Sequence, residues 1–204
     1  MSIKAFDTES VTTGHAHDIL NLGYGAVGLY LRADRSPLEA IQGLHSVGLK
    51  IFSIWEKGYP TAAGYFTADQ GTADGQAAAE YALSVSQPSE TTISPCVDYD
   101  SNPAEVEAYL VAFHDAVKED GYYSLPYGNG ATLGYAIAQG FAVGGYLSQS
   151  SGFSGYQDFL PDAAIVQSIG AAPLGLNGDP DEVVLESIQV TGDDGNPITI
   201  SVLW

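Results

Sequence analysis

Short apolar runs alternate with helix-patterned segments along almost the whole chain, and this rhythm constrains the fold more than any other feature. Strand-like runs occupy residues 3–7, 26–31, 50–56, 92–100, 122–128, 142–147 and 163–168, with a short eighth around 178–181. Pro126 weakens the fifth, because proline gives no hydrogen bond to a sheet. Between them, residues 37–47 carry Leu38, Ile41, Leu44 and His45 at helical spacing. Residues 73–85 are Ala-rich, 103–118 set Val106, Tyr109, Leu110 and Phe113 on one stripe, and 131–139 form a shorter helix. Ser36-Pro37 and Asn102-Pro103 read as helix starts. Strands alternating with helices imply a parallel sheet, and eight units in a row imply a small, irregular (β/α)8 TIM-like barrel. The 204 residues lie at the low end for that fold, so some helices must be short or missing. Residues 168–179 are too few and too rich in Gly and Pro for a full one.

Beyond residue 181 the pattern changes. Residues 183–190 and 198–204 are β-like and flank a turn with Asp-Gly and Asn-Pro pairs, which predicts a C-terminal β-hairpin on the barrel surface. One domain over 1–204 is expected, the barrel over 1–181 and the β extension over 182–204.

Ligands of parallel α/β proteins gather at the C-terminal ends of the strands. Asp7 ends the first run, Glu56 the third, and Asp98 and Asp100 the fourth. Residues two apart on a strand share a side, so Asp98 and Asp100 are expected to emerge together. Tyr127 and Asn129 follow on the fifth unit, Gln167 lies on the seventh, and Asp181 on the eighth; Asp179 reads as a turn residue. A simpler use for Asp98 and Asp100 is to cap the helix that begins near Asn102. Ion pairing explains little of this acidity, since 25 Asp and Glu face only 6 Lys and Arg.

Acid-rich pockets without histidine hold divalent cations through oxygen ligands or hydrolyse glycosides with paired carboxyls. Tyr30, Trp55, Tyr59, Tyr99 and Tyr127 near the strand ends favour the second, because sugar rings stack on aromatic faces. His15, His17, His45 and His114 fall away from strand ends, and no cofactor or metal is assigned. Cys96, the single cysteine, reads as a small buried hydrophobe. The net charge of −19 argues against nucleic acid and anionic membranes as partners. No apolar run is long enough to span a membrane, and the first residues do not form a signal peptide. A chain made in the cytoplasm is therefore expected, acting elsewhere only after release.

Several motifs together resemble a known family. They are Ala5-Phe6-Asp7-Thr8, Gly48-Leu49-Lys50-Ile51-Phe52-Ser53-Ile54-Trp55, Val97-Asp98-Tyr99-Asp100, Tyr127-Gly128-Asn129, Gln167-Ser168 and Asp179-Pro180-Asp181. In order and spacing they resemble the glycoside-hydrolase-like domain of mycobacterial secreted proteins and phage lysins. That family is similar in turn to the family-25 glycoside hydrolases, the Chalaropsis-type lysozymes. The resemblance implies cleavage of the β-1,4 bond after N-acetylmuramic acid in peptidoglycan. By position Asp100 matches the general acid, Asp98 the carboxylate that assists substrate or water, and Asp7 and Asp181 the acids that complete the pocket. Family-25 muramidases carry Glu where this chain has Asp100, whereas the glycoside-hydrolase-like family shares the Asp. Glu56, Tyr30, Trp55, Tyr99, Tyr127, Asn129 and Gln167 are the expected substrate contacts. The expectation is a monomeric, lysozyme-like phage or prophage endolysin acting on peptidoglycan strands at the cell wall. The alternatives are a non-catalytic glycan-binding module on the same fold and a metal-dependent hydrolase.

Overall fold

A computed structural model describes residues 2–11, 13–58, 60–192 and 195–204. Tyr59 and the turn residues Asp193 and Asp194 lie outside the described residues. In chain order the elements are β1 (Ile3–Thr8), α1 (Ala16–Asn21), β2 (Ala26–Tyr30), α2 (Leu38–Ser46), β3 (Lys50–Trp55), α3 (Ala68–Ser84) and β4 (Thr92–Pro95). There follow α4 (Pro103–Glu119), β5 (Tyr123–Ser124), β6 (Tyr127–Gly128), α5 (Gly130–Gln139), β7 (Tyr146–Leu147), α6 (Tyr156–Phe159) and β8 (Ile165–Gln167). β9 (Pro180–Val183), β10 (Ser187–Thr191) and β11 (Pro197–Ser201) complete the order.

Nine strands form one curled sheet in the order β5-β4-β3-β2-β1-β9-β8-β7-β6. Its two edges, β5 and β6, are halves of one run interrupted at Leu125-Pro126, where proline withholds a donor. Cys96 bridges to Tyr127, and Val97 N donates to Tyr127 O at 2.9 Å, so the far edge returns to the end of β4. The sheet thus curls in the manner of a TIM-like barrel. One strand departs from the expected parallel order: β9 is antiparallel to both β1 and β8. No α-helix separates β8 from β9, only a single 3-10 turn at Pro173–Gly175. An antiparallel return needs no helical crossover, which is why the connection into β9 can be so short.

Strand parity divides the apolar residues into two layers. Ala5, Ala26, Phe52, Ile54, Cys96, Leu125, Tyr127 and Tyr146 fill the inside of the curled sheet. Phe6, Val27, Leu29 and Ile51 face outward onto α1 and α2, while Trp55, Ile93 and Val97 face α3 and α4. Gly28 is an inward position with no room for a side chain: a Cβ there would sit 2.3 Å from the Phe52 ring. Phe52 in turn meets Tyr146 edge-on at 5.7 Å.

The C-terminal hairpin does not simply lie on the surface. β10 and β11 pair with each other, yet Ile200 and Val202 are fully buried and Leu203 nearly so. Val202 and Leu203 pack with Ala5, Ala26 and Val183 as a floor beneath the inner layer. Ile51 exchanges two backbone hydrogen bonds with Trp204, at 2.7 and 2.9 Å, and Ser201 bridges to Thr91. The tail therefore occupies the gap between the starts of β3 and β4, which pair only from Ser53 and Ile93 onward.

Candidate active site

The cavity at the C-terminal ends of the strands has a volume of about 150 Å³. β1 contributes Asp7, β2 Tyr30, and the residue after β3 is Glu56. Cys96 and Asp98 follow β4, and Ile54, Tyr127, Tyr146, Gln149, Gln167 and Asp179 complete the lining. Asp7, Tyr30, Glu56, Asp98, Tyr127 and Gln167 are thus brought together around one cavity.

Beneath the opening lies a hydrogen-bonded network built from inward residues of five strands. Tyr146 Oη lies 2.7 Å from Asp181 Oδ1 and 3.1 Å from Asp7 Oδ2. Gln167 Nε2 donates to Asp7 Oδ2 at 2.7 Å, and Tyr127 donates to Gln167 Oε1 at 2.8 Å. A tyrosine hydroxyl has one proton to donate, so with both carboxyls ionised one contact lacks a hydrogen. Asp181 is 5% exposed and its Oδ2 has no partner among the described residues. Burial first, then the Asp7 charge, pushes the Asp181 carboxyl well above the usual range. A protonated Asp181 resolves the count: it donates to Tyr146, which donates to Asp7. Burial also raises Asp7, to about 6, against the lowering effect of Gln167 and Tyr146. β9 comes close enough to β1 for this only because residue 178 is glycine: a Cβ there would fall 1.8 Å from the Asp7 carbonyl oxygen.

Nearer the opening, burial and then the charge of Asp98 raise Glu56 to about 7. Asp98 is raised by its own burial and by Asp179. Both carboxyls at the mouth are thus raised, and Glu56 keeps a proton where carboxyls are ordinarily ionised. Among the described residues, no three His, Cys, Asp or Glu side chains are grouped to hold a metal ion.

Other expected site residues lie elsewhere. Asp100 does not accompany Asp98 into the cavity. Ser101 N donates to Tyr99 O at 2.8 Å, a tight turn that ends the strand alternation just before the helix. Asp100 is exposed and accepts from Asn129 Nδ2, Ser154 N and Ser154 Oγ at 2.8, 2.8 and 3.1 Å. The Ser154 backbone bond is the largest influence holding its carboxyl below the ordinary value. Neither Asp98 nor Asp100 caps α4; Asn102 and Glu105 do so as a capping box. Asn129 is fully buried as the cap of α5, its Oδ1 accepting from Thr132 N. Trp55 is turned outward against the α3–α4 layer, as it must be when its neighbour Glu56 faces in. Tyr99 stacks on Phe66 at 5.7 Å and reaches Glu105.

Five cavity residues were not anticipated as site residues: Ile54, Cys96, Tyr146, Gln149 and Asp179. Tyr146 is visible in the sequence only as the inward aromatic of a two-residue strand, and Gln149 follows in its loop. Asp179, read as a turn residue, lines the opening beside the β9 entry.

The sequence profile of the Rv2525c-like, glycoside hydrolase-like domain matches residues 17–175. The chain belongs to this family. The uncharacterized protein YbfG of Bacillus subtilis is 33% identical over 126 residues, 56% of this chain. The matched region is only 17% of that relative's length. Among solved structures, the Tat-secreted family member Rv2525c of Mycobacterium tuberculosis superposes with a TM-score of 0.72 at 18% identity, covering 90% of this chain and 95% of that one. GHIP of Streptococcus pneumoniae, a family-25 glycosyl hydrolase described as a virulence factor in host cell invasion, superposes with a TM-score of 0.53 at 11% identity. That match covers 90% of this chain and 86% of GHIP. At such identities the likeness is one of fold. No helix among the described residues is long and apolar enough to cross a membrane.

Proposed function

We propose that this glycoside-hydrolase-like domain is a lysozyme-like glycosidase that cleaves β-1,4 bonds in peptidoglycan, and that Glu56 is its proton donor. The observation that carries this is the pairing of Glu56, raised to about 7, with Asp98 at the mouth of one cavity. Glu56 gives its proton to the glycosidic oxygen as the bond to the anomeric carbon breaks. Ionised Asp98 stabilises the positive charge that develops on the sugar and orients the attacking water or the substrate's N-acetyl group. Water supplies a hydroxyl to the anomeric carbon, and its remaining proton restores Glu56. Tyr30 and Tyr127 offer ring surface to the sugar, while Gln167 and Tyr146 fix Asp7 below it. Asp100 pins the loop at Ser154 to the start of α5. The cell wall is then the place of action, reached after release in the manner of an endolysin.

Release of reducing ends from purified peptidoglycan tests the assignment. Glu56→Gln should abolish release with folding intact, and Asp100→Asn should retain it. Asp100 as donor, the role implied by position in the family, predicts the reverse ranking; unchanged release by Glu56→Gln would sink the reading. The outward turn of Asp100 also favours a second reading, a glycan-binding module that cuts nothing. Retention on cell walls with no new chain ends by mass spectrometry would establish that alternative.

A further inference from the structure

With six Lys and Arg against 25 Asp and Glu, the placement of the cations is informative. Lys4 lies near the start of β1, Lys50 begins β3 and Lys118 lies in the last turn of α4, all on the floor side. Arg32, Arg35 and Lys57 follow β2 and β3 on the mouth side. Arg32 and Arg35, with Glu9, Tyr30, Glu56 and Gly58, line a second cavity of about 220 Å³. Tyr30 and Glu56 also line the carboxylate cavity, so the two spaces adjoin.

Arg32 is oriented by the backbone, its Nη1 donating to Glu56 O at 3.2 Å. Its Nε and Nη2 meet Asp34 at 3.1 and 2.8 Å, and Arg35 Nη1 meets Glu9 at 2.6 Å. The two partner carboxylates are 61% and 44% exposed. Exposed ion pairs contribute roughly 0–1 kcal/mol, so an incoming anion displaces these partners at little cost. Glu56 also lines the cavity, with its carboxyl raised to about 7, and the acidic groups outside the lining act from farther away and are screened over about 8 Å at physiological salt. Contact with two guanidiniums therefore decides the local preference, against the sign of the whole chain.

We propose that this second cavity is an anion subsite, taking the carboxylate of an acidic sugar residue in the glycan that crosses Glu56. The position of the scissile bond rests on the glycosidase reading above; the binding preference does not. A guanidinium cavity also suits a phosphate group, and the test separates the two.

The probes are N-acetylglucosaminyl-N-acetylmuramic acid, its methyl ester and glycerol phosphate, titrated into the full chain by calorimetry. The disaccharide lacks a bond after the muramic residue, so binding is read without cleavage. The free acid should bind about tenfold more tightly than the ester, the scale of one charge-assisted contact, and the gap should narrow at high salt. Arg35→Gln should close the gap, Arg35→Lys should keep most of it, and Lys118→Gln, an equal charge change at the floor, should leave it intact. Equal affinities for acid and ester, a gap that survives Arg35→Gln, or no binding of either would overturn the subsite. Tighter binding of glycerol phosphate would overturn the sugar carboxylate as its ligand. A persistent gap in a chain that cuts no peptidoglycan would remove the hydrolase reading and leave the subsite standing.

Discussion

Replacing Asp7 by Asn should make the protein more stable in a manner that depends on pH. Asp7 is 3% exposed, and its carboxyl titrates near 6 in the fold against 3.8 when unperturbed. Between those values the folded chain binds more protons than the unfolded chain, so stability falls as pH rises through the window. Once the group is fully ionised the loss reaches about 3 kcal/mol. Asn has no charge to bury. Gln167 and Tyr146 both donate to Asp7 Oδ2, so an Asn oxygen in that place keeps both bonds. The variant should therefore gain up to about 3 kcal/mol over wild type at pH 8, roughly 6–12 °C in Tm for a chain of this size. Near pH 4 the gain should vanish. Urea unfolding at both pH values, monitored by tryptophan fluorescence, gives the two differences. A difference between variant and wild type that stays constant from pH 4 to 8 would refute the reasoning. Cleavage should fall in the same variant, the usual conflict between stability and a strained charged site.

Tyr146→Phe should destabilise the fold by about 1–3 kcal/mol, since Asp7 and Asp181 both lose a partner in a buried site; a carboxyl NMR titration should show Asp7 moving above 6, because a lowering bond is gone. Hydrolysis should fall as pH rises through about 7 and Glu56 loses its proton, and Asp98→Asn should shift that limb to lower pH by removing the leading charged neighbour. Leu203→Ala should cost about 2–5 kcal/mol in urea unfolding if the tail is core, and a change within error of zero would return the hairpin to the surface.

Much of the architecture was legible because it follows from periodicity. The buried stripe of Val106, Tyr109, Leu110 and Phe113 places α4, and Asn102-Pro103 places its start. Direction is another matter: alternation along Pro180–Val183 is the same whether a strand runs up or down, so the antiparallel β9 left no mark. The tail was read as β and apolar, but nothing local distinguishes a surface strand from one inserted beside Ile51. In the site, parity was available and decisive for Trp55, which cannot face the same way as Glu56. Asp98 and Asp100 lie beyond the end of β4 at Pro95, and the turn at Tyr99–Ser101 sends them apart, so the i, i+2 rule did not apply to them. Tyr146 was hidden because its importance lies in distances to Asp7 and Asp181, remote in sequence and joined only by the curled sheet.

The tail seated between β3 and β4 carries a consequence for assembly. Trp204 Nε1 donates to Ser53 Oγ at 2.9 Å across 151 positions of chain, so the seam at the floor is among the most non-local contacts in the molecule. Contacts of such long range form late in folding. Until they form, Ile51 and Thr91 present unpaired backbone groups beside an uncovered apolar floor, an edge that accepts a strand from any chain that fits. The segment that fits is the same tail on a second molecule. At high concentration during refolding, tail exchange between copies competes with closure of the seam, and the exchanged pair would retain both cavities at the opposite end.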